Sequence, residues 1–184
     1  MRMFSFVNSR RIFSLSVTIF LFFMLTGFFS CHRSRQAIKI PNPMAVSSSE
    51  ECLDVIGKTF AVPADADDVS WFSISGSLYQ LSFNWRGIAC TARMEKTSCA
   101  EDISGIYYSW ERITKENAGP YSGETKYVTV EDGNILAVFN FYDDDGISCS
   151  LSMNVPGLGP GDTDDIRKLL INFAEDIWGL PPND

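Results

Sequence analysis

The chain has 184 residues, with 15 Lys and Arg against 23 Asp and Glu, a formal net charge of −8. Every acidic residue lies after position 31, so the part beyond Cys31 holds 12 basic and 23 acidic side chains, a net of −11. So acidic a chain is repelled by nucleic acid and by anionic lipid head groups, and both are set aside as electrostatic partners.

Residues 1–30 read as a secretory signal. Arg2, Arg10 and Arg11 make a positive start, Ile12 to Phe29 is a largely apolar run, and Ser30 is the small residue before Cys31. A cysteine directly after the cut site marks a bacterial lipoprotein, whose thiol is diacylated. Lipidation is therefore expected at Cys31, anchoring the chain on the extracytoplasmic face of the cell membrane. The competing reading is an uncleaved anchor, because the apolar run sits at the lower limit of about 17–25 residues that span a bilayer. Residues 31–46 are polar or proline-containing and read as a flexible tether. A single domain is expected over 47–179, with a tail at 180–184.

The domain opens on a helix. Ser48 with Glu51 three residues on is a capping-box pattern, Leu53 and Ile56 offer an apolar face, and Gly57 ends it. Strand-like segments follow at Trp71 to Ser75, Leu78 to Trp85, Gly87 to Met94, Ile106 to Ile113, Lys126 to Glu131 and Ile135 to Tyr142. The last, Ile147 to Val155, alternates Ile, Cys, Leu, Met and Val with Ser and Asn, the period of a strand with one face on a core and one in water. A Gly-rich break at Gly157–Gly161 precedes a second helix. Asp162 or Thr163 can cap it, and Ile166, Leu169, Leu170, Phe173 and Ile177 recur at helical spacing. The expected class is α+β: an antiparallel meander of six to seven strands, with an N-terminal and a C-terminal helix on one face.

Several short motifs stand together. They are Ile40-Pro41-Asn42-Pro43-Met44, Phe60-Ala61-Val62-Pro63, Asp102-Ile103-Ser104-Gly105-Ile106-Tyr107-Tyr108, and Asp145-Gly146 before the serine-alternating strand. With these the chain, from Ile40 to about Trp178, resembles a family of uncharacterised bacterial lipoproteins carrying a domain of unknown function. The resemblance implies no activity and no functional residues. Cys52, Cys90, Cys99 and Cys149 depart from it.

Chemistry is limited by what is missing. The sole histidine, His32, adjoins the lipidation site, which removes histidine-based nucleophile systems and histidine metal sites. Asp65, Asp67 and Asp68, and the run Asp143-Asp144-Asp145-Gly146, read as hydrated turns; the second fails the EF-hand pattern. No C-x-x-C occurs. Cys90 and Cys149 read as buried small hydrophobes, and Cys90 with Cys99 is the disulfide pair to test. No catalytic residue, metal ligand or cofactor is assigned. Trp71, Phe72, Tyr79, Phe83, Tyr107, Tyr108 and Trp110 read mostly as core. Trp85, in an expected turn beside Arg86, is the aromatic available for contact with a ligand. The functional expectation is a non-enzymatic binding or interaction module at the cell envelope, its partners the membrane through Cys31 and an envelope protein or wall polymer. The alternative is a carboxylate-dependent hydrolase acting on a cell-wall polymer.

Overall fold

The computed structural model describes residues 44–157 and 163–181. These belong to one compact unit, Asn42–Asp184. The signal, Cys31, the tether up to residue 43 and the cap expected at Asp162 lie outside the described residues.

Helix α1 (Ser49–Ile56) starts at Ser48, whose extended backbone and side-chain oxygen make the N-cap, accepting from the Glu51 N–H at 3.3 Å. Glu51 does not complete a capping box; its carboxylate accepts from the Ser47 hydroxyl at 2.8 Å. Gly57 closes the helix in the left-handed region, φ 88°. The buried pair is Cys52 and Ile56, whereas Leu53 is 50% exposed, so the expected Leu53 face is corrected. An eight-residue helix turns one i, i+4 pair to the sheet, and here that pair is 52 and 56.

Eight strands follow in chain order: β1 (Met44–Val46), which precedes α1, β2 (Ala66–Ile74), β3 (Leu78–Trp85), β4 (Ile88–Lys96), β5 (Arg112–Ala118), β6 (Tyr121–Thr129), β7 (Ile135–Tyr142) and β8 (Ile147–Val155). They form one sheet in the order β1-β2-β3-β4-β8-β7-β6-β5 with all neighbours antiparallel. The class is α+β, as expected, but the sheet has eight strands and consists of two four-stranded meanders zipped together along β4 and β8.

The local chemistry explains the joints. Arg86 and Gly87, both at positive φ (50° and 83°), make the two-residue turn between β3 and β4, the geometry that matches strand twist. The expected hairpin around Asp132-Gly133-Asn134 joins β6 to β7, pairing Thr129 with Ile135. Asp67 and Asp68 do not precede the first large strand; they lie inside β2, where the register breaks and Asp68 takes φ 53°. Met44–Val46, expected in the tether, pairs with Phe72–Ile74. At the other end Leu180 packs against the core rather than belonging to a free tail.

One face of the sheet carries the core. Tyr79, Leu81, Phe83, Ala92, Met94, Phe139, Leu151 and Met153 are buried there. Helix α2 (Thr163–Trp178) adds Ile166, Leu170, Phe173 and Ile177 to the same cluster, and α1 adds Cys52 and Ile56, so both helices cover this face. Arg167 pairs with Glu116 at 2.8 Å, fastening α2 to β5. Among the described residues no helix is long and apolar enough to cross a membrane.

The opposite face departs most from expectation. Residues 97–111, which include most of the strand expected at Ile106 to Ile113, have no regular structure and cross this face from β4 to β5. Their Tyr107 and Tyr108 are exposed, at 94% and 53%, and are not core. Beneath this strap Ser148 and Ser150 are 0% and 1% exposed, although strand alternation alone assigns them to water. Period-two patterning identifies two faces of different polarity; it does not say what lies on the polar one.

Candidate functional site

The strap rests on a polar sheet face, and its fastenings come from named side chains. Arg93, on β4, donates from its Nη1 to the carbonyl of Ile103 at 3.1 Å and to that of Ser104. Its Nε donates to Gln80 Oε1 on β3 at 2.8 Å, which fixes the guanidinium plane. Lys126, on β6, reaches the same turn from the other side and pairs with Asp102 at 2.8 Å. The second Asp102 oxygen accepts from the N–H and hydroxyl of Ser104, at 3.0 and 2.6 Å. Gly105 passes directly over Arg93, and a Cβ there would collide with the guanidinium; its φ of 68° also suits glycine. Closer to β4, the Glu101 N–H donates to Ser148 Oγ at 3.1 Å. The motif Asp102–Tyr108 is thus the strap itself.

Asp102 responds to this setting. Burial works to raise its carboxyl, but hydrogen bonds from Lys126 and Ser104 outweigh it and hold the group below the ordinary aspartate value. A folded-state value below the unfolded one contributes stability that is complete above the ordinary range, near pH 4, and is lost as pH falls through the folded value. Amide exchange at Ser104 and Ile106, corrected for intrinsic rates, should therefore rise between about pH 4 and pH 2 before that of β8. Equal protection at pH 2 and pH 6 would contradict this role for Asp102.

Beside the strap lies a groove of about 350 Å³, lined by Ala100, Glu101 and Asp102 on one side and by residues of β5, β6 and β7 on the other. Strand register explains why they meet. Lys115 pairs across to Glu124, Glu124 to Asn140, Asn140 to Ser150, and Ser150 to Arg93, so one polar row runs over five strands. Along the groove, Lys115 has no salt-bridge partner among the described residues, Lys126 is committed to Asp102, and Glu124 stands 4.0 Å from Lys126. Both side-chain polar atoms of Asn140 and the hydroxyl of Ser150 are shielded from solvent and have no protein hydrogen-bond partner. The groove thus offers ammonium and carboxylate groups to a polar ligand, with the shielded Asn140 amide in its wall.

The residues singled out in the sequence lie elsewhere. Trp85 ends β3 and is half-buried, its ring edge-on to Phe173 with centroids 4.5 Å apart. Arg86 stacks over the indole at 4.7 Å and pairs with Asp65 at 2.9 Å. Trp85 lines a separate hollow of about 360 Å³ with Pro63, Asp65, Phe173 and Asp176. Asp143 is not a hydrated turn residue. It is 4% exposed, accepts from the N–H groups of Asp145 and Ile147 at 3.0 and 2.9 Å, and pairs with Lys58 at 2.6 Å. Burial opposes the Lys58 charge, but its bonds to Asp143 and Asp145 prevail and raise its pKa.

All four described cysteines are free. Cys90 faces the core while Cys99 sits exposed in the strap, so the pair suggested by their sequence proximity is not formed. Burial pushes the Cys52 thiol up to about 11, that of Cys90 up to about 12, and that of Cys149 well above its ordinary value. Thiols so shifted are poor nucleophiles at neutral pH. Among the described residues no group of three or more His, Cys, Asp and Glu side chains converges as a metal site would require. Lys115, Glu124 and Asn140 escape sequence reasoning because they come from three different strands and meet only through register. The chain matches no protein-family model, no curated protein and no solved structure, so the reading of this groove stands on its own residues.

Proposed function

We propose that this is a membrane-tethered, extracytoplasmic lipoprotein, similar to the uncharacterised lipoproteins its motifs resemble, and that its folded domain is a non-enzymatic binding module of the cell envelope. The observation that carries the binding reading is the groove beside the strap: an exposed ammonium without an ion-pair partner, neighbouring carboxylates, and an amide with unmet hydrogen-bonding capacity. Asp102, its most constrained carboxylate, has both oxygens engaged, one by Lys126 and the other by Ser104, and is not free to act on a substrate, which favours binding over the carboxylate-dependent hydrolase. Trp85 and Arg86 are the lesser surface. Arg86 already has two partners there, and Trp85 is half committed to α2.

Binding is tested by titrating the purified full-length protein with soluble wall-polymer fragments and with short unblocked peptides. Lys115 is exposed and far from the core, so Lys115→Ala should leave the denaturation midpoint in place and weaken the ligand by at least about 1 kcal/mol. Affinity unchanged in Lys115→Ala and in Glu124→Ala would remove the groove as the site. The tether is tested separately. Mass spectrometry of the membrane fraction should find a diacylated Cys31 at the new N-terminus, and Cys31→Ala should release the protein from that form of attachment. An intact N-terminus would favour the uncleaved anchor.

A further inference from the structure

The closed strap leaves an unusual residue of unmet chemistry beneath it. Three polar atoms, Asn140 Oδ1, Asn140 Nδ2 and Ser150 Oγ, are shielded and without protein partners, and all lie in one cross-strand row next to the groove. Buried polar atoms in folded proteins are nearly always hydrogen-bonded, and leaving them unpaired disfavours the state that does so. Anchored around them is an irregular segment with no backbone ladder to the sheet, held by side-chain contacts: the Lys126–Asp102 pair, the Arg93 donations and the Glu101–Ser148 bond. Residues 100–102 form both the cover and one wall of the groove, while Asn140 lies on the opposite wall. Lifting this segment would join the groove to the row behind it and release three polar atoms for new partners.

We propose that Ala100–Gly105 is a displaceable cover, and that the groove continues beneath it into an inner site at Asn140 and Ser150 for an uncharged ligand rich in hydroxyl and amide groups. Asn140 and Ser150 carry no charge, and Arg93 beside Ser150, whose Nη1 donates to the neutral carbonyls of Ile103 and Ser104 while the cover is closed, would take a ligand's amide carbonyl in their place. An amide and a hydroxyl each both donate and accept, so they pair best with the same groups. Lys115 and Glu124 stay at the outer end of the row. This rests on the reading of the groove as a binding site.

The paired strands β8 and β4 supply a test with its own control, because Ser150 lies on the strap side of the sheet and Cys90 on the core side. In full-length Ser150→Cys, maleimide labelling assigned residue by residue reports the strap side at position 150 and the core side at Cys90. Position 150 should label at least ten times faster than Cys90. Adding Lys126→Gln should speed labelling at 150 at least fivefold and leave Cys90 unchanged. Saturating triacetylchitotriose, which is uncharged and carries both hydroxyl and acetamide groups, should slow labelling at 150 at least fivefold. Equal rates at 150 and 90 mean that only global unfolding exposes the row, and overturn the cover. Binding of triacetylchitotriose that depends on Lys115 without altering position 150 leaves the groove reading standing and overturns the inner site. Protection of position 150 by unblocked trialanine but not by triacetylchitotriose overturns the ligand class. If neither probe binds or alters labelling, both the groove reading and the inner site fail.

Discussion

Leu170→Ala is expected to lower the free energy of unfolding by about 2–5 kcal/mol, measured as a fall in the denaturant midpoint at unchanged slope. Leu170 is 0% exposed and lies where α2 meets the sheet, among Leu151, Met153 and Phe139 in the main core cluster. Removing its branched end forfeits the transfer energy of those methyl groups and leaves a void that the surrounding strands, locked by ladders on both sides, fill poorly. Leu53→Ala is the matched control. Leu53 is also a helical leucine but is half exposed, so its replacement should shift stability by no more than about 0.5 kcal/mol. Equal costs at 53 and 170 would contradict the assignment of the helix faces.

Asp143→Ala should cost about 2–4 kcal/mol, from the loss of charge-assisted hydrogen bonds and the stranding of a buried N–H. One Asp143 oxygen ties the Asp145 and Ile147 amides into the β7–β8 turn, and the other holds Lys58, which follows α1. With the carboxylate gone, the Ile147 N–H loses its acceptor in a buried position. Asp145 also pairs with Lys58, at 2.7 Å, but is 66% exposed; Asp145→Ala should change stability by about 0–1 kcal/mol. Two neighbouring aspartates in one acidic run thus have unequal roles, and equal effects on replacing them would sink the distinction.

That contrast shows where sequence reasoning reaches and where it stops. The α2 stripe is legible because Ile166, Leu170, Phe173 and Ile177 repeat at helical spacing, and a stripe on a helix has to find a core. The Ser48 cap, the Gly57 stop and the hairpin around Gly133 are equally local, decided by a few residues with special backbone preferences. Strand β5 is not legible: Arg-Ile-Thr-Lys-Glu-Asn-Ala has neither alternation nor β-forming composition over its second half, and it is a strand because β6 pairs with it at the sheet edge. The reverse error occurs at Tyr107, Tyr108 and Trp110. Their aromatic composition suits a strand, but they belong to a strap with only isolated contacts to the sheet.

The same division applies to the site. Nothing in the run Asp143–Asp145 says which carboxylate is buried, because that depends on Lys58, eighty-five residues earlier in the chain. The serine face of β8 is legible as polar, but its cover is not, since Asp102–Tyr108 has no periodicity and reaches the sheet through Arg93 and Lys126. The groove depends on the pairing of β5, β6 and β7 in a particular register. A shift of one residue in β6 would turn Glu124 and Lys126 to the core face and erase it.

Photo-crosslinking in intact cells tests the central claim most directly. A photoreactive residue replacing Lys115, at the outer end of the groove, is compared with one replacing Asp132, an exposed turn position lining a different hollow beside Tyr108. A binding module using the groove should give a discrete adduct from position 115 that is absent from position 132 and is lost when Glu124→Ala is added to the same chain. No adduct at 115, or the same adducts from both positions, would contradict the groove as the working surface of this protein.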